Sequence, residues 1–364
     1  MIDPELRIGI VGATGAVGRV TLQCLLDRGY ANIRTFASWR SAGGRLGDFE
    51  VEEATPVALG AGDLDICFFS IGTEWSRELV PHAVAGGAIC IDKSAAFRLE
   101  PGVPLIVPEV NAERAFEHNG IVANPNCCTI PLTMVLGPLR DAAGLRSVRV
   151  ATYQSVSGAG SEAIADLRAE DADDHLLRMD WEFDGVEYDE EVKLREETRK
   201  ILELPELPIS ATCVRVPVVV GHAESVWIET ERPLTPVEAE RILRESPGLR
   251  VQKVPAHGHA IGIDDVLVGR IRADDSSENG LALFLVCDNL RKGAALNAIQ
   301  IAELRFDESM AYRGHGRATG RPVAPVETPP AQTDERSISS AVERSKRYWS
   351  GSTFAAMSGK RLTR

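Results

Sequence analysis

Apolar positions in the first third of the chain form short, nearly unbroken runs that are separated by helix-like segments. The runs predict strands at residues 6–11, 33–37, 64–70, 88–92 and 121–123. Strands that are buried on both faces have this pattern, because neither side of the strand meets water. The region therefore predicts an α/β unit in which helices cover both faces of a parallel sheet.

A different pattern follows residue 127, where apolar and polar positions alternate in most of the strand-like segments. A helix to about residue 143 precedes strands predicted at residues 148–154, 213–220, 225–231, 266–273 and 281–288. Alternation is typical of antiparallel strands with one face in water, so the region predicts a second domain of the α+β class. A helix predicted at residues 289–304 has an apolar side, and we expect it to pack back against the first domain.

Residues 306–364 are rich in serine, threonine, proline, glycine and arginine and poor in aliphatic side chains. Such a composition buries too little apolar surface to offset the entropy of ordering, so we expect a disordered tail. The predicted domain limits are therefore 1–126 together with 289–305 for the first domain, 127–288 for the second, and 306–364 for the tail.

Composition and charge exclude several classes of function. With 364 residues the chain is long enough for two domains, and its net charge of −13 argues against a nucleic-acid partner. Its seven cysteines are odd in number and show no CxxC or metal-ligand spacing, which favours a reducing cytoplasm and no metal site. We see no signal peptide and no apolar run of the roughly 20 residues that span a bilayer, so we expect a soluble cytoplasmic protein without a membrane partner.

Three glycines spaced by two residues follow the first predicted strand and open a helix. The motif is Gly12-Ala13-Thr14-Gly15-Ala16-Val17-Gly18. The first glycine allows a tight turn, the second lets the backbone approach a pyrophosphate, and the third allows close packing of helix on strand. Glycine turns between strand and helix also occur without a nucleotide, but the position after an N-terminal strand predicts a Rossmann-type dinucleotide-binding site.

The residues after the second predicted strand bear on the choice of cofactor. A 2′-hydroxyl group of NAD usually meets a carboxylate there, whereas the 2′-phosphate of NADP needs hydrogen-bond donors and positive charge. The chain has Ser38, Arg40 and Ser41 at this point and no carboxylate before Asp48. This arrangement favours NADP, although an incidental arginine in a solvated loop would give the same pattern.

The segment Asn124-Pro125-Asn126-Cys127 lies where a predicted buried strand gives way to a helix. Thr129 is a candidate cap for that helix, and a thiol at its start lies near unpaired N–H groups and the positive end of the helix dipole. Both favour the thiolate, which is the nucleophilic form of cysteine. The alternative is a buried and inert cysteine, which is what we expect of the adjacent Cys128.

Several further motifs follow one another along the chain. They are Ser38-x-Arg40-Ser41-Ala42-Gly43, Ala96-Phe97-Arg98, Tyr153-Gln154-x-Val156-Ser157-Gly158-Ala159-Gly160, Arg215-Val216-Pro217-x-x-x-Gly221-His222 and Asp288-Asn289-Leu290-Arg291-Lys292-Gly293-Ala294-Ala295. With the glycine loop and the Cys127 turn, they make residues 6–305 resemble the aspartate-semialdehyde dehydrogenase family. The resemblance implies a homodimeric oxidoreductase that uses NADPH to reduce L-aspartyl 4-phosphate to L-aspartate 4-semialdehyde and phosphate, in the biosynthesis of lysine, threonine, methionine and diaminopimelate.

The resemblance also implies roles for individual residues. Cys127 is the nucleophile that forms a thioacyl intermediate, His222 is the acid–base group, and Gln154 orients the intermediate. The implied substrate contacts are Arg215 for the α-carboxylate, Arg98 and Lys193 for phosphate, and Glu190 for the amino end. The implied cofactor contacts are Gly12, Ala13, Thr14, Gly15, Ala16, Val17, Gly18, Ser38, Arg40, Ser41, Ser70, Gly72, Ser157, Gly158 and Asn289. Residues 1–126 are then the dinucleotide-binding domain, and 127–288 are the catalytic and dimerisation domain.

Other interpretations stay open at this point. Arg215 could be a surface arginine, His222 a loop histidine, and Arg98 and Lys193 solvated cations. Because seven positions separate Arg215 from His222, both reach one site only if the strand ends near Gly221. Parts of the pattern also fit an enzyme for another acyl phosphate, such as N-acetyl-γ-glutamyl phosphate, or a non-catalytic binding or assembly protein.

Three features depart from the family pattern. Cys128 stands where serine is common, and Lys93-Ser94-Ala95 replaces Asn-Ser-Ser and adds a positive charge near the phosphate region. Only 29 residues separate Gly160 from Glu190, which is shorter than usual, and the segment is strongly acidic. Because this segment commonly contributes to the subunit interface and the substrate wall, its shortening bears on the dimer and on the roles of Glu190 and Lys193.

Overall fold

Two β-sheets form the framework of the protein, and the computed structural model describes residues 5–168 and 178–306. The strands of the first sheet are β1 (Ile8–Val11), β2 (Ile33–Ala37), β3 (Arg45–Leu46), β4 (Phe49–Glu53), β5 (Ile66–Phe69), β6 (Ile89–Asp92) and β7 (Ile121–Ala123). Their order is β3-β4-β2-β1-β5-β6-β7, and all neighbours are parallel except β3 and β4. The predicted parallel sheet is confirmed. The pattern misses the β3–β4 hairpin, because β4 reads Phe-Glu-Val-Glu-Glu and has no apolar run.

Helices cover both faces of the first sheet because its strands direct alternate side chains to opposite sides. The helices of this part are α1 (Ala16–Asp27), α2 (Pro56–Leu59), α3 (Thr73–Ala85) and α4 (Pro108–Asn111). In β5, Ile66 and Phe68 pack in one core with side chains of α1. Cys67 and Phe69 pack in a second core with side chains of α3. The continuous apolar run of β5 thus supplies two cores at once.

The second sheet has six strands and follows helix α5 (Thr129–Ala143). Its strands are β8 (Ser147–Ser155), β9 (Ile209–Val216), β10 (His222–Glu229), β11 (Leu249–Val251), β12 (Val266–Ala273) and β13 (Gly280–Cys287). Their order is β11-β12-β13-β10-β8-β9. The central pairs β8–β10, β10–β13 and β12–β13 are antiparallel, as the alternating pattern predicts.

Both edges of this sheet are parallel: the predicted antiparallel pairing is wrong for β9, and the edge strand β11 is missed by the sequence pattern. Strand β9 is parallel to β8, and β11 is parallel to β12. Parallel neighbours need a crossover that returns the chain to the same end of the sheet, and helices supply it here. Helices α6 (Ser161–Arg168) and α7 (Asp189–Leu202) lie between β8 and β9, and α9 (His257–Ala260) lies between β11 and β12. Helix α8 (Pro236–Glu245) precedes β11.

One face of the second sheet is covered by helices and forms the largest core. This core joins apolar residues of α5, α7 and α8 to Val226 and Ile228 of β10. Because side chains alternate along a strand, His222 and Glu224 belong to the same face as Val226 and Ile228. The start of β10 therefore places the polar side chains of His222 and Glu224 in the helix-covered interior, where both are fully buried.

The segment after β13 returns to the first sheet. It begins with a π-helical turn at Arg291–Ala295 and continues as helix α10 (Leu296–Phe306). Ala298, Ile299 and Ile301 pack in the same core as residues of β1 and α1. The predicted helix is present, with a π-helical start that its apolar pattern does not distinguish from an α-helix. The domain limits given above remain a prediction.

Most of the expected disordered tail, residues 307–364, lies outside the described residues. Within the described ranges, no helix has both the length and the apolar character that crossing a membrane requires.

The close approach of α1 to the glycine loop gives a stability prediction. A Cβ added at Gly18 would lie 2.1 Å from the backbone oxygen of Gly12, so helix and loop would have to separate. We expect Gly18→Ala to lower the free energy of unfolding by roughly 1–3 kcal/mol, measured by urea unfolding followed by circular dichroism. Gly258→Ala is the matched control, because nothing lies within 4 Å of a Cβ added there. Equal losses in the two variants would contradict the packing argument.

Candidate active site

Cys127 lies in the turn between β7 and α5 and is half-buried. Cys128 takes the cap position of α5 with near-helical dihedral angles, so Thr129 is the first helical residue and its predicted role as cap is wrong. The Asn126 side chain explains the shift, because its Oδ1 accepts the Cys128 N–H at 2.8 Å. The π-helical turn closes the other side: a Cβ added at Gly293 would lie 3.3 Å from the Cβ of Cys127.

His222 is the first residue of β10, and its Nε2 lies 3.1 Å from the Sγ of Cys127. The other ring nitrogen, Nδ1, accepts the backbone N–H of Ser155 at 3.0 Å. Because an N–H group can only donate, Nδ1 carries no proton in this arrangement, and the neutral ring holds its proton on Nε2. His222 thus directs an N–H donor at the sulfur. The sequence does not indicate Ser155, since its contact depends on the pairing of β8 with β10.

The surroundings of Cys127 favour its anionic form. A hydrogen bond from the Cys128 thiol and the nearby His222 and Arg215 hold the pKa of the Cys127 thiol well below its ordinary value. The sulfur atoms of both cysteines and a ring nitrogen of His222 all lie within 4.8 Å of one another. Burial raises the pKa of Cys128 well above that of a free thiol, so Cys128 stays protonated and can donate. Cys128 is fully buried, as expected.

Glu224 is a residue of this site that the sequence analysis misses. It lies two positions after His222 in β10 and is fully buried. Burial raises the pKa of its carboxyl group well above the ordinary value, and neither carboxyl oxygen has a hydrogen-bond partner within the described residues. A neutral carboxyl group here keeps a second negative charge away from the Cys127 sulfur. The sequence signal that could have identified it is a glutamate at a strand position that is expected to be buried with apolar neighbours.

Gln154 and Glu190 meet beside the Cys127 turn. The Glu190 Oε1 accepts hydrogen bonds from Asn126 Nδ2 at 2.9 Å and from Gln154 Nε2 at 3.2 Å. Glu190 lies at the start of α7 and Gln154 near the end of β8, so this contact joins the crossover to the sheet. The shortened 161–189 segment therefore leaves Glu190 within the site.

Arg215 and His222 converge, although the strand of Arg215 ends earlier than the predicted limit near Gly221. Strand β9 ends at Val216, because Pro217 cannot donate to a further ladder, and a turn leads to β10. A Cβ added at Gly158 would lie 3.1 Å from Arg215 Nη1 and 3.2 Å from His222 Nε2. The two side chains therefore face one point, where a larger residue than glycine would be crowded.

The guanidinium group of Arg215 already has partners in the protein. Its Nη1 donates to the Ser155 carbonyl oxygen at 3.1 Å, and its Nη2 lies 3.2 Å from a carboxylate oxygen of Asp180. Its Cζ lies over the ring of Trp181, 4.5 Å from the ring centroid. Asp180 and Trp181 belong to the acidic segment before α7, which the family resemblance links to the substrate wall without indicating either residue.

Arg98 is buried and stabilises the Cys127 turn through hydrogen bonds. It donates to the Asn124 carbonyl oxygen at 3.0 Å, to the Lys93 carbonyl oxygen at 2.7 Å and to Glu197 at 2.9 Å. Glu197 also accepts the Asn126 N–H at 2.6 Å, and burial raises the pKa of its carboxyl group. The sequence analysis gives Glu197 no role. The phosphate role of Arg98 remains a prediction.

Lys193 lies on α7, and its ammonium group is 2.6 Å from Asp189 and 3.5 Å from Glu190. Arg98 and Lys193 line one cavity of about 290 Å³, together with Arg77 and Glu197. The structure thus brings both predicted phosphate ligands to the same space, while each already has a carboxylate partner. Their binding role remains a prediction.

The predicted cofactor residues lie at the carboxyl ends of neighbouring parallel strands. Gly12 follows β1 with a φ of +83°, and a Cβ there would lie 2.3 Å from the Ser70 carbonyl oxygen. Gly15 caps α1 without a side-chain hydrogen bond, which leaves the first amide groups of the helix for an anion. Ser38 to Ser41 form a turn after β2, closed by a hydrogen bond of 2.9 Å. Ser70 and Gly72 follow β5.

Ser157 and Asn289 occupy a different place from the glycine loop. The Asn289 Oδ1 accepts the Gly221 N–H at 2.9 Å, and its Nδ2 donates to Ser157 Oγ at 2.9 Å. Ser155 Oγ also donates to Asn289, at 3.1 Å. Asn289 thus ties the turn before His222 to the end of β8. Its contact with a cofactor remains a prediction.

Comparison with known proteins identifies two matching domain families. Residues 7–118 match the NAD binding domain of semialdehyde dehydrogenases, and residues 136–292 match the dimerisation domain of semialdehyde dehydrogenases. The two matches cover the first sheet with its glycine loop and most of the second sheet with its helices.

Individual relatives agree with these domains. The chain is 44% identical to the aspartate-semialdehyde dehydrogenase of Streptomyces akiyoshiensis, over 82% of this chain and 98% of the relative. It is 42% identical to that of Aquifex aeolicus strain VF5, over 84% and 99%. Among solved structures, aspartate semialdehyde dehydrogenase II from Vibrio cholerae has a TM-score of 0.78 at 36% identity, over 83% and 98%. The enzyme from Candida albicans with NADP has a TM-score of 0.65 at 26% identity, over 82% and 98%. This chain belongs to the aspartate-semialdehyde dehydrogenase family.

Proposed function

We propose that this protein catalyses the reversible NADPH-dependent reduction of L-aspartyl 4-phosphate to L-aspartate 4-semialdehyde and phosphate, through a thioacyl intermediate on Cys127. The observation that carries the proposal is the 3.1 Å contact between the Cys127 sulfur and His222 Nε2. The names of the relatives at 40–44% identity support the same reaction. The reaction belongs to amino-acid biosynthesis.

NADP fits the residues of the first sheet. The glycine loop is tight, because a Cβ at Gly12 or Gly18 would collide with the backbone. The start of α1 has no side-chain cap, so its first amide groups can donate to the pyrophosphate. Ser38, Arg40 and Ser41 offer donors and positive charge for a 2′-phosphate. When bound, the nicotinamide supplies the hydride that converts the thioacyl carbon to a hemithioacetal carbon. The similarity to the Candida albicans enzyme with NADP supports this choice of cofactor.

The protein's own groups perform the bond changes at sulfur. The Cys127 thiolate attacks the acyl carbon, the bond from that carbon to the phosphate oxygen breaks, and phosphate leaves. The N–H of His222 Nε2 donates to the oxygen that becomes negative. When the oxyanion of the hemithioacetal collapses, the carbon–sulfur bond breaks and the thiolate returns as the aldehyde forms. A low thiol pKa suits both steps, because sulfur must attack and leave as an anion.

Substrate contacts follow from the same geometry. Arg215 offers its planar fork to the α-carboxylate, and the carboxylate of Glu190 suits a free amino group. Arg98 and Lys193 are proposed to hold the phosphate in the cavity that they share. An N-acetylated substrate would bring no positive charge to Glu190. Neither that alternative nor a non-catalytic role is favoured by the relatives.

We also propose a homodimer with a dinucleotide-binding domain at residues 1–126 and 289–305 and a catalytic and dimerisation domain at 127–288. The match of residues 136–292 to a dimerisation domain supports the dimer. The return of α10 to the first core supports the domain division. A cytoplasmic location is proposed because all seven cysteines are free thiols.

Removal of the nucleophile tests the proposed route. Cys127→Ala is expected to reduce phosphate-dependent formation of NADPH from aspartate semialdehyde by at least roughly a thousandfold, because no thioester can form. The rate is measured by NADPH absorbance. Cys24→Ala removes a buried thiol of α1 and is expected to keep most of the activity. Equal rates in wild type and Cys127→Ala would exclude the thioester route.

The hydrogen bond from Cys128 gives a pH prediction. Cys128→Ala removes the main cause of the low pKa of Cys127, so the pKa should rise and less thiolate should be present at neutral pH. The rate of alkylation by iodoacetamide, measured against pH, should therefore reach its midpoint at higher pH than in wild type. Cys128→Ser keeps a donor and should lie closer to wild type. A midpoint in Cys128→Ala that equals the wild-type value would contradict this cause.

The ion pair between Asp180 and Arg215 predicts an effect on substrate affinity. Asp180→Asn frees part of the guanidinium fork, so the KM for aspartate semialdehyde should fall by roughly two- to fivefold with kcat unchanged. Steady-state kinetics measure both constants. Glu182→Gln is the matched control, because Glu182 is an exposed acidic residue of the same segment. A rise in KM would show that Asp180 positions Arg215 for the substrate instead of competing with it.

A further inference from the structure

Lys93 lies at the same edge of the first sheet as the cofactor residues. It directly follows β6, and its backbone N–H donates to the Phe69 carbonyl oxygen at the end of β5. Its ammonium group donates to Ser70 Oγ at 3.0 Å and lies 5.3 Å from the centre of the Phe68 ring. Ser70 is in turn the residue against which Gly12 of the glycine loop packs. The ammonium group therefore lies one strand away from the loop, at the edge where ligands of such sheets bind.

The neighbouring cations differ from Lys93 in having carboxylate partners. Arg98 pairs with Glu197 at 2.9 Å, and Lys193 pairs with Asp189 at 2.6 Å. Within residues 5–168 and 178–306, Lys93 has no such ion pair, and its one hydrogen-bond acceptor is the Ser70 hydroxyl group. An ammonium group has three N–H donors, so two of them are available to a ligand.

The nearest acidic group in sequence is already satisfied. Asp92 accepts hydrogen bonds from Ser76 Oγ at 2.8 Å and from Ser94 Oγ at 2.6 Å. Burial lowers the pKa of Lys93 to about 7, against smaller opposite effects of Asp92 and Cys67. A cation that loses water without gaining an anion is unstable, and an oxyanion beside it would restore the charged form.

We propose that Lys93 binds a phosphate oxyanion at the carboxyl edge of the first sheet. A lysine acts as a compact point charge, which suits a phosphate group whose orientation other residues set. The proposal rests on the proposed function, which brings two sources of this chemistry to the site: the phosphate that is the substrate or product, and the pyrophosphate of the cofactor. The carbonyl oxygen of Lys93 accepts a hydrogen bond from Arg98, and Arg98 itself lines the cavity that it shares with Lys193.

Two neutral variants, Lys93→Met and Lys93→Asn, test the proposal in the full chain. Isothermal titration calorimetry is performed separately with inorganic phosphate and with NADPH, and the KM for phosphate is measured in the same proteins. We expect the dissociation constant of one ligand to rise about tenfold, the value for loss of a charged hydrogen bond. Lys93→Arg keeps the charge and should recover part of the loss. Lys253→Met is the matched control, because it removes an equal charge from an exposed lysine.

The two titrations distinguish the sources. Weaker binding of inorganic phosphate alone assigns Lys93 to the substrate phosphate, and weaker binding of NADPH alone assigns it to the cofactor. Affinities for both ligands that match those of Lys253→Met would overturn the proposal, as would a wild-type protein that binds neither. Absence of turnover in a wild-type protein whose titrations still depend on Lys93 would instead refute the proposed reaction. Thermal melting of each variant shows that a loss of affinity is not a loss of fold.

Discussion

The contact between the Cys127 sulfur and His222 Nε2 depends on two sheets meeting at one turn. Cys127 leaves the end of the first sheet, whereas His222 begins a central strand of the second. Neither partner can move alone, because Asn126 holds the start of α5 and Ser155 holds the second ring nitrogen. The interaction that would carry the chemistry is therefore set by the packing of the whole protein, and a small shift of either sheet would separate the atoms.

Charge around this contact is arranged so that one anion is favoured. Glu224 is kept neutral by burial, Glu197 is bound by Arg98, and Asp180 pairs with Arg215. Cys127 is the group that gains a hydrogen-bond donor, from Cys128. A buried carboxylate without a partner would cost several kcal/mol and would repel the thiolate, so these neighbours stabilise both the fold and the reactive form of the sulfur.

The shortened segment before α7 still supplies the site. Glu190 reaches Asn126 and Gln154, while Asp180 and Trp181 lie against Arg215. The short segment thus places charged side chains beside both the Cys127 turn and Arg215. The guanidinium group of Arg215 contacts an aromatic ring and a carboxylate, which limits its rotation and would reduce the entropy lost in the proposed binding of a substrate carboxylate.

The sequence by itself determined the elements whose signals are local. The parallel sheet follows from continuous apolar runs, and the tight approach of α1 follows from the spacing of Gly12 and Gly18. The family motifs also identify Cys127, Gln154 and Arg215 as candidates from the sequence alone. For these three residues, the side-chain type and the short motif around it are enough to indicate the chemistry.

Tertiary structure decided the features that depend on contacts between segments far apart in the sequence. The parallel edges of the second sheet arise from crossovers that no strand pattern records. Ser155 reaches His222 only through the register of β8 with β10, and Glu224 becomes neutral only because the core closes over it. Periodicity reports which face of an element is buried, but it does not report which other element lies against that face, and the pKa of a side chain is set by that neighbour.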